Sequence, residues 1–317
     1  MKLIKPSFEI LEQKPRAIAI PDDMEIGPRK VREELLNSIY RQIEIAGRIC
    51  YKSEDKITED SAKSFVERMI KAGHGAMLEH GTVYLSIPYN EAYSLLPDTN
   101  WVIDSYGKNP YSIIRLHGPY FYITTNYRVL VENGWLDNLK YLCEPTEYHA
   151  KRITVHFVCD RGVSHEFVRH RVFSFAQEST RYCNYSKDKF DSECTFIIPC
   201  WLNIVEGSYT LEDVEEKYDR CLITDSGKGI TNEAAEYIRS LIYSEKTYFS
   251  LLDRNWRPQQ ARAVLPNSLK TELVMTGFVS DWKHFFELRC SSSAHPQARE
   301  LAIPLQEEFI ARGYINN

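Results

Sequence analysis

Arg169-His170-Arg171 opens a fourteen-residue run ending at Tyr182 that holds three arginines, a histidine, an amide (Gln177) and four hydroxyl side chains (Ser174, Ser179, Thr180, Tyr182). Guanidinium groups are planar forks that grip a phosphate through two parallel hydrogen bonds and stay charged at any working pH. Hydroxyls and an amide beside them can complete an anion's hydrogen-bond shell and orient a planar heterocycle. An arbitrary arginine-rich stretch reads as a solvated basic face. Phe173, Phe175 and the small polar residues of this run fit such a face badly and a nucleotide pocket well.

Three further segments carry candidate groups. Gly73 to Thr82 places His74 and His80 in a glycine-rich connection between a helix end and a strand, which reads equally as a turn with two incidental histidines. Arg262, within Gln260–Pro266, reads alone as a structural ion-pair residue. Arg289 closes the segment that begins at His284, where an arginine alone would serve a helix dipole. Other patterns are excluded. His165 and His170 miss the zinc-protease spacing by one residue and cannot share a helix face. Asp225–Gly229 lacks the first glycine of a phosphate-binding loop, and no Gly-x-Gly-x-x-Gly occurs, so any dinucleotide must bind outside a Rossmann fold.

The 317 residues suffice for a substantial core, and 43% hydrophobic and 26% charged residues are ordinary for a globular protein. A net charge of −5 argues against general nucleic-acid binding. Arg161 to Phe190 runs the other way, with six Arg or Lys against three Asp or Glu, a local +3 suited to a small anionic ligand. No apolar run approaches the ~20 residues of a membrane span. The eight cysteines form no Cys-x-x-Cys pair, which reads as free thiols in a reducing cytosol, with no metal site.

Periodicity predicts the elements that position these groups. Val31, Leu35, Ile39, Ile43 and Ile45 or Ala46 recur close to helical spacing, and Thr58 is expected to cap a second helix ending at Gly73. Thr82–Ile87 and Arg152–Val158 alternate as strands, with Asp160 the N-cap of a helix leading into Arg169. On a continuing helix Arg169 and Arg171 would point roughly 200° apart. Either the helix ends there or the triplet faces two ligands. Thr231–Leu252, a helix opened by Pro258, Asp281–Arg289 capped by Ser280, and Pro296–Arg312 complete the helices. The mixture implies an α+β fold with helices packed on a modest mixed or antiparallel sheet.

The extended run resembles the signature of the flavin-dependent thymidylate synthases: Arg-His-Arg, seven residues, then Ser. Arg169, His170 and Arg171 fall on the triplet, Ser179 on the serine, and Arg181-Tyr182 on the pair that follows. Gly73-His74 with Glu79-His80, and Ala261-Arg262 with Leu265-Pro266, are similar to two more elements of that family. The resemblance runs in patches from about Ile45 to the C-terminus. It implies one domain over residues 1–317, with insertions near 97–119 and 201–229. It implies a cytoplasmic homotetramer with shared active sites that methylates dUMP to dTMP, with methylenetetrahydrofolate as carbon donor and FAD reduced by NADPH. By the same resemblance His80, Thr82, Arg169, His170, Arg171, Gln177 and His284 hold FAD. Glu166, Arg169, Gln177, Ser179, Thr180, Arg181, Arg262 and Arg289 surround dUMP, with Arg289 the catalytic group that activates the uracil ring.

Two residues depart from the family pattern. Glu166 stands where glutamine is usual, and a carboxylate beside an anionic nucleotide is expected to pair with Arg169 three positions on. Five residues separate Arg289 from His295 where about three are expected. These departures suit an alternative, a nucleotide- and flavin-binding regulatory protein without turnover. An RNA-binding role for the arginine run conflicts with the net charge.

Overall fold

Alternating apolar residues build a central sheet of four antiparallel strands in the order β2 (Ser7–Leu11), β6 (Arg152–Asp160), β10 (Lys270–Phe278) and β7 (Ser174–Gln177). The coordinates are a computed structural model describing residues 1–16, 27–93, 100–181, 183–187, 190, 192–214 and 233–316. Side chains alternate across a strand, so β10 turns Leu273 and Met275 to one face and Val274 and Thr276 to the other. On the first face Val155, Phe157, Leu273 and Met275 lie beneath α5 (Arg161–Phe167), α9 (Val279–Arg289) and α10 (Pro296–Ala311), around the buried rings of Trp282, Phe285, Phe286 and Phe309.

Val274 and Ala176 on the second face join a core made with α1 (Pro28–Tyr51), α2 (Ser61–Lys71) and α3 (Gly75–Leu78). A second antiparallel sheet, β3 (Thr82–Pro88), β5 (Tyr120–Asn126) and β4 (Ile113–His117), closes that core together with α4 (Tyr127–Glu132). In the third sheet β1 (Lys2–Ile4) runs parallel to β8 (Thr195–Ile197) and antiparallel to β9 (Gly207–Ser208). It shares a core with α6 (Leu211–Val214), α7 (Glu233–Asp253) and α8 (Pro258–Ala261), where Leu3, Phe196, Ile238 and Tyr248 are buried.

The fold is α+β as the sequence implies, but among the described residues the one modest sheet is three small ones. Residues 100–119 contain β4, the edge strand of the second sheet, and residues 201–214 supply β9 and α6. Both segments therefore complete cores. The Asp160 cap forms as expected, its Oδ1 accepting from the Val163 amide at 2.8 Å. Two caps are corrected. Thr58 does not cap α2: the Ser61 hydroxyl donates to the Thr58 carbonyl and accepts from the Thr58 amide, so an extra turn precedes the helix. Ser280 does not cap α9, because the helix starts one residue earlier at Val279 with Phe278 in the N-cap position, where the Asp281 carboxylate accepts from the Phe278 amide at 2.8 Å. Thr231, the expected start of α7, and Tyr182 of the arginine run lie outside the described residues.

Candidate functional site

Helix α5 ends at Phe167, so the arginine triplet lies in an irregular turn and not on a helix. The His170 amide bonds the Phe167 carbonyl at 3.1 Å, and the Arg171 amide bonds the Arg169 carbonyl at 3.0 Å. This turn aims the triplet in two directions. His170 faces α9, whereas Arg171 lines a cavity beside the second sheet. Arg169 is exposed and forms no side-chain hydrogen bond among the described residues.

The first direction converges on Arg289, the last residue of α9. Its Nε donates to His170 Nε2 at 2.9 Å, Nη2 donates to the Glu166 carbonyl at 2.7 Å, and Nη1 is ion-paired with the Glu166 carboxylate. The expected Glu166–Arg169 pair is thus corrected: α5 stops before the i,i+3 geometry can form, and the carboxylate turns to the neighbouring helix. A guanidinium carries five N–H donors, so two of Arg289's remain for a ligand. His284 lies 6.3 Å from His170 by ring centroids, and its Nδ1 sits 3.3 Å from Glu287 in an exposed position.

His170 accepts from a cation, so Nε2 must be the unprotonated nitrogen. Burial, with Arg289 and then His284 nearby, lowers its pKa to about 4. His80 is wholly buried, with Nδ1 2.8 Å from the Thr276 hydroxyl, and burial followed by the Arg152 charge lowers its pKa to about 3. Both histidines stay neutral in the fold at pH values where the unfolded chain protonates them, below about 6.5. Folded stability is therefore expected to be full above that pH. It should fall as the pH drops toward 4, by up to about 1.4 kcal/mol per pH unit for each histidine. Urea midpoints measured at pH 8, 6 and 5 check this, and equal midpoints at all three would refute it.

The second direction opens on a cavity of about 530 Å³ lined by Arg152, Arg171, Ser174, Phe175, Asp281 and Tyr111, among others. Arg152 begins β6 and reaches across to the second sheet, donating to the Glu79 carbonyl at 3.1 Å, Thr82 Oγ1 at 3.3 Å and Ser174 Oγ at 3.4 Å. Thr82, one of the expected site residues, is buried here, and its backbone is held by both ends of the Gln13 amide at 2.8 Å. His80 lies on the same face of the central sheet, through Thr276. Arg152 is a residue that sequence reasoning missed, because its only local signal is to begin a strand.

Gln177 lies on the opposite face, donating to Ser164 Oγ at 2.9 Å and Thr271 Oγ1 at 3.3 Å. Ser179 and Thr180 follow β7. The Ser179 amide is tied to the Cys50 carbonyl at the end of α1 at 3.1 Å, and Thr180 Oγ1 accepts from Arg262 Nη1 at 2.7 Å. Arg262 thus joins the arginine run through a hydroxyl and not through an ion pair. Arg181 is exposed. Glu178, between Gln177 and Ser179, was also missed: its buried carboxylate pairs with Lys270 at 2.9 Å. Lys270 in turn pairs with Glu272, which also bonds Lys52 and His156 at 2.9 and 3.0 Å. His295 stands at the N-cap position of α10 without a side-chain cap bond and, with Trp201 and Glu166, lines a separate hollow of about 310 Å³.

Fold and site together define an α+β protein whose arginine-bearing turn serves two anion-suited neighbourhoods. A family model described as thymidylate synthase complementing protein matches residues 144–312, more than half of the chain. The chain belongs to that family. It is 31% identical over 149 residues to a flavin-dependent thymidylate synthase of Corynebacterium efficiens, covering 47% of this chain and 53% of the relative. A flavin-dependent thymidylate synthase of Corynebacterium aurimucosum is 24% identical over 263 residues, covering 82% and 72%. One of Pyrococcus furiosus is 29% identical over 154 residues, covering 49% and 52%. In the first and third the match spans about half of the relative's length.

Proposed function

We propose that this chain makes dTMP by FAD-dependent reductive methylation of dUMP, with methylenetetrahydrofolate as carbon donor and NADPH as reductant. Family membership supports the class of reaction. The observation that carries the reading is the convergence of Glu166, His170 and Arg289 into one hydrogen-bonded cluster, although 119 residues separate the last two. The two N–H groups left on Arg289 suit a uracil carbonyl. A fixed cation there favours the ionised ring, which is the activation expected of this residue.

Bound flavin would supply the hydride chemistry, and the protein orientation and electrostatics. The residues present fit an anionic dinucleotide. Arg171 has no acid partner among the described residues, and the buried His80 Nε2 has no hydrogen-bond partner. His80, Thr82, Arg169, His170, Arg171, Gln177 and His284 would hold it. Glu166, Arg169, Gln177, Ser179, Thr180, Arg181, Arg262 and Arg289 would surround dUMP. Within one chain His80 and Gln177 lie on opposite faces of the central sheet. That separation favours active sites shared between copies in a homotetramer.

Flavin absorbance of the purified protein and dUMP-dependent dTMP formation test the proposal. A yellow protein that binds dUMP without turnover would support the regulatory alternative. Glu166→Gln keeps an acceptor toward Arg289 and is expected to lower turnover by less than about tenfold, ~1.4 kcal/mol, as read by kcat. A larger loss would give the carboxylate charge a role of its own. Ser179→Ala is expected to weaken dUMP binding about tenfold (~1.4 kcal/mol) by calorimetry while leaving measurable activity. A serine nucleophile needs an adjacent base, and His170 already accepts from Arg289. Abolished turnover with dUMP still bound would make Ser179 a nucleophile after all.

A further inference from the structure

Arg152 is a cation without a counter-ion. No carboxylate lies within ion-pair distance of it among the described residues, and its acceptors are one carbonyl and two hydroxyls. The two acids on the cavity wall are engaged elsewhere. Glu79 pairs with Arg128, and Asp281 accepts the Phe278 amide. The Phe278 ring centre lies 5.6 Å from the guanidinium carbon of Arg152, within cation–π range. Burial pulls its pKa down to about 10, so the group remains a cation at neutral pH. Arg152 is half-buried on the cavity wall, and a cation partly stripped of water without an acid partner is best completed by an anion.

The wall around Arg152 is built for close fit. Arg171 enters the same cavity from the irregular turn, and its side chain forms no ion pair or hydrogen bond among the described residues. Phe173 lies so close to Gly277 that a Cβ there would meet its ring at 2.5 Å, so the wall tolerates no side chain at this point. Pro110 and Tyr111 reach the rim from the segment before β4, and Tyr111 is 59% exposed. An exposed ring over a cationic cavity is a stacking surface for a planar heterocycle.

We propose that Arg152 and Arg171 clamp the diphosphate of a dinucleotide in this cavity, and that Tyr111 stacks on a planar ring of the same ligand. The identity of that ligand as FAD rests on the function proposed above; the clamp itself requires only a dinucleotide diphosphate. Tyr111 gives residues 100–119 a role at the ligand in addition to their place in the second sheet.

The test titrates FAD, FMN and ADP-ribose into flavin-depleted full-length protein, following flavin fluorescence and, for ADP-ribose, calorimetry. Wild-type protein should bind FAD at least tenfold more tightly than FMN, which lacks the diphosphate. Arg152→Met should weaken FAD and ADP-ribose at least tenfold while changing FMN little. Tyr111→Ala, an exposed position that folding does not need, should weaken FAD severalfold and relieve its fluorescence quenching. Circular dichroism and the melting temperature report whether Arg152→Met folds. If it does not, Arg171→Gln and Tyr111→Ala decide between them. Unchanged FAD affinity in the folded variants overturns the clamp and leaves the flavin reading standing. Wild-type protein that takes ADP-ribose through Arg152 but no FAD keeps the clamp and overturns the flavin reading. Binding of neither ligand overturns both.

Discussion

Arg289→Ala is expected to lower dTMP formation at least a hundredfold, about 2.7 kcal/mol of transition-state stabilisation, while FAD binding changes only severalfold. Three donors of this guanidinium are spent on Glu166 and His170, so the side chain cannot swing, and the remaining N–H groups point where those contacts dictate. Pre-fixed charge of this kind needs no reorganisation as charge develops on a substrate, which is why removing one such donor costs so much. Alanine would also strand the Glu166 carboxylate, placing a bare negative charge where an anionic nucleotide is expected. Arg289→Lys should recover little, because a point-charge ammonium lacks the planar fork that reaches His170, the Glu166 carboxylate and the Glu166 carbonyl together. Steady-state kcat and KM for dUMP, with flavin content measured on the same samples, check this. Turnover within about tenfold of wild type, ~1.4 kcal/mol, would move ring activation to another residue.

Lys270→Met should give the largest loss of stability, about 3–5 kcal/mol. Lys270 Nζ stands between two carboxylates, Glu178 and Glu272, that are 2% and 8% exposed. Methionine fills similar space but leaves both charges facing each other with Lys52 and His156 as the remaining partners. Burial opposes ionisation of Glu272, but His156, Lys270 and Lys52 outweigh it and hold its carboxyl well below the usual carboxylate range. The stabilisation from Glu272 is therefore present above the unfolded value of about 4.3 and is lost as the pH falls further. A fall in the urea midpoint is expected for Lys270→Met at pH 7, smaller at pH 3, where the carboxylates of the unfolded chain are protonated. Adding Glu178→Gln to the variant should restore part of the loss. An unchanged midpoint at pH 7 would show that the cluster contributes nothing net. Because Glu178 adjoins Ser179, Lys270→Met should also loosen the segment that is proposed to bind dUMP.

The helices and strands that carry the site are legible in the sequence because their signals are local. Alternation across Arg152–Val158 and helical spacing through Val31–Ala46 are readable over a few residues, and both elements form. The Asp160 cap is three residues from the amide it serves. The two expected caps fail because the helix boundaries shift: α2 starts at Ser61, beyond Thr58, and α9 starts at Val279, before Ser280. The arginine run is equally legible as a candidate anion site, since that reading rests on residue type and spacing alone.

What the sequence by itself determined is therefore the α+β class, the nucleotide-suited run from Arg169 to Tyr182 and the family signature within it. Only the tertiary structure decided which groups meet. The early end of α5 sends Glu166 to Arg289 instead of Arg169 and splits the triplet between two neighbourhoods. Arg152, separated by 70 residues from Thr82, meets it only because two sheets abut. Lys270 reaches Glu178 across 92 residues because β10 and β7 pair in one register. Such contacts are set by strand register and by how helices dock on sheets, and neither is written in the local spacing of residues.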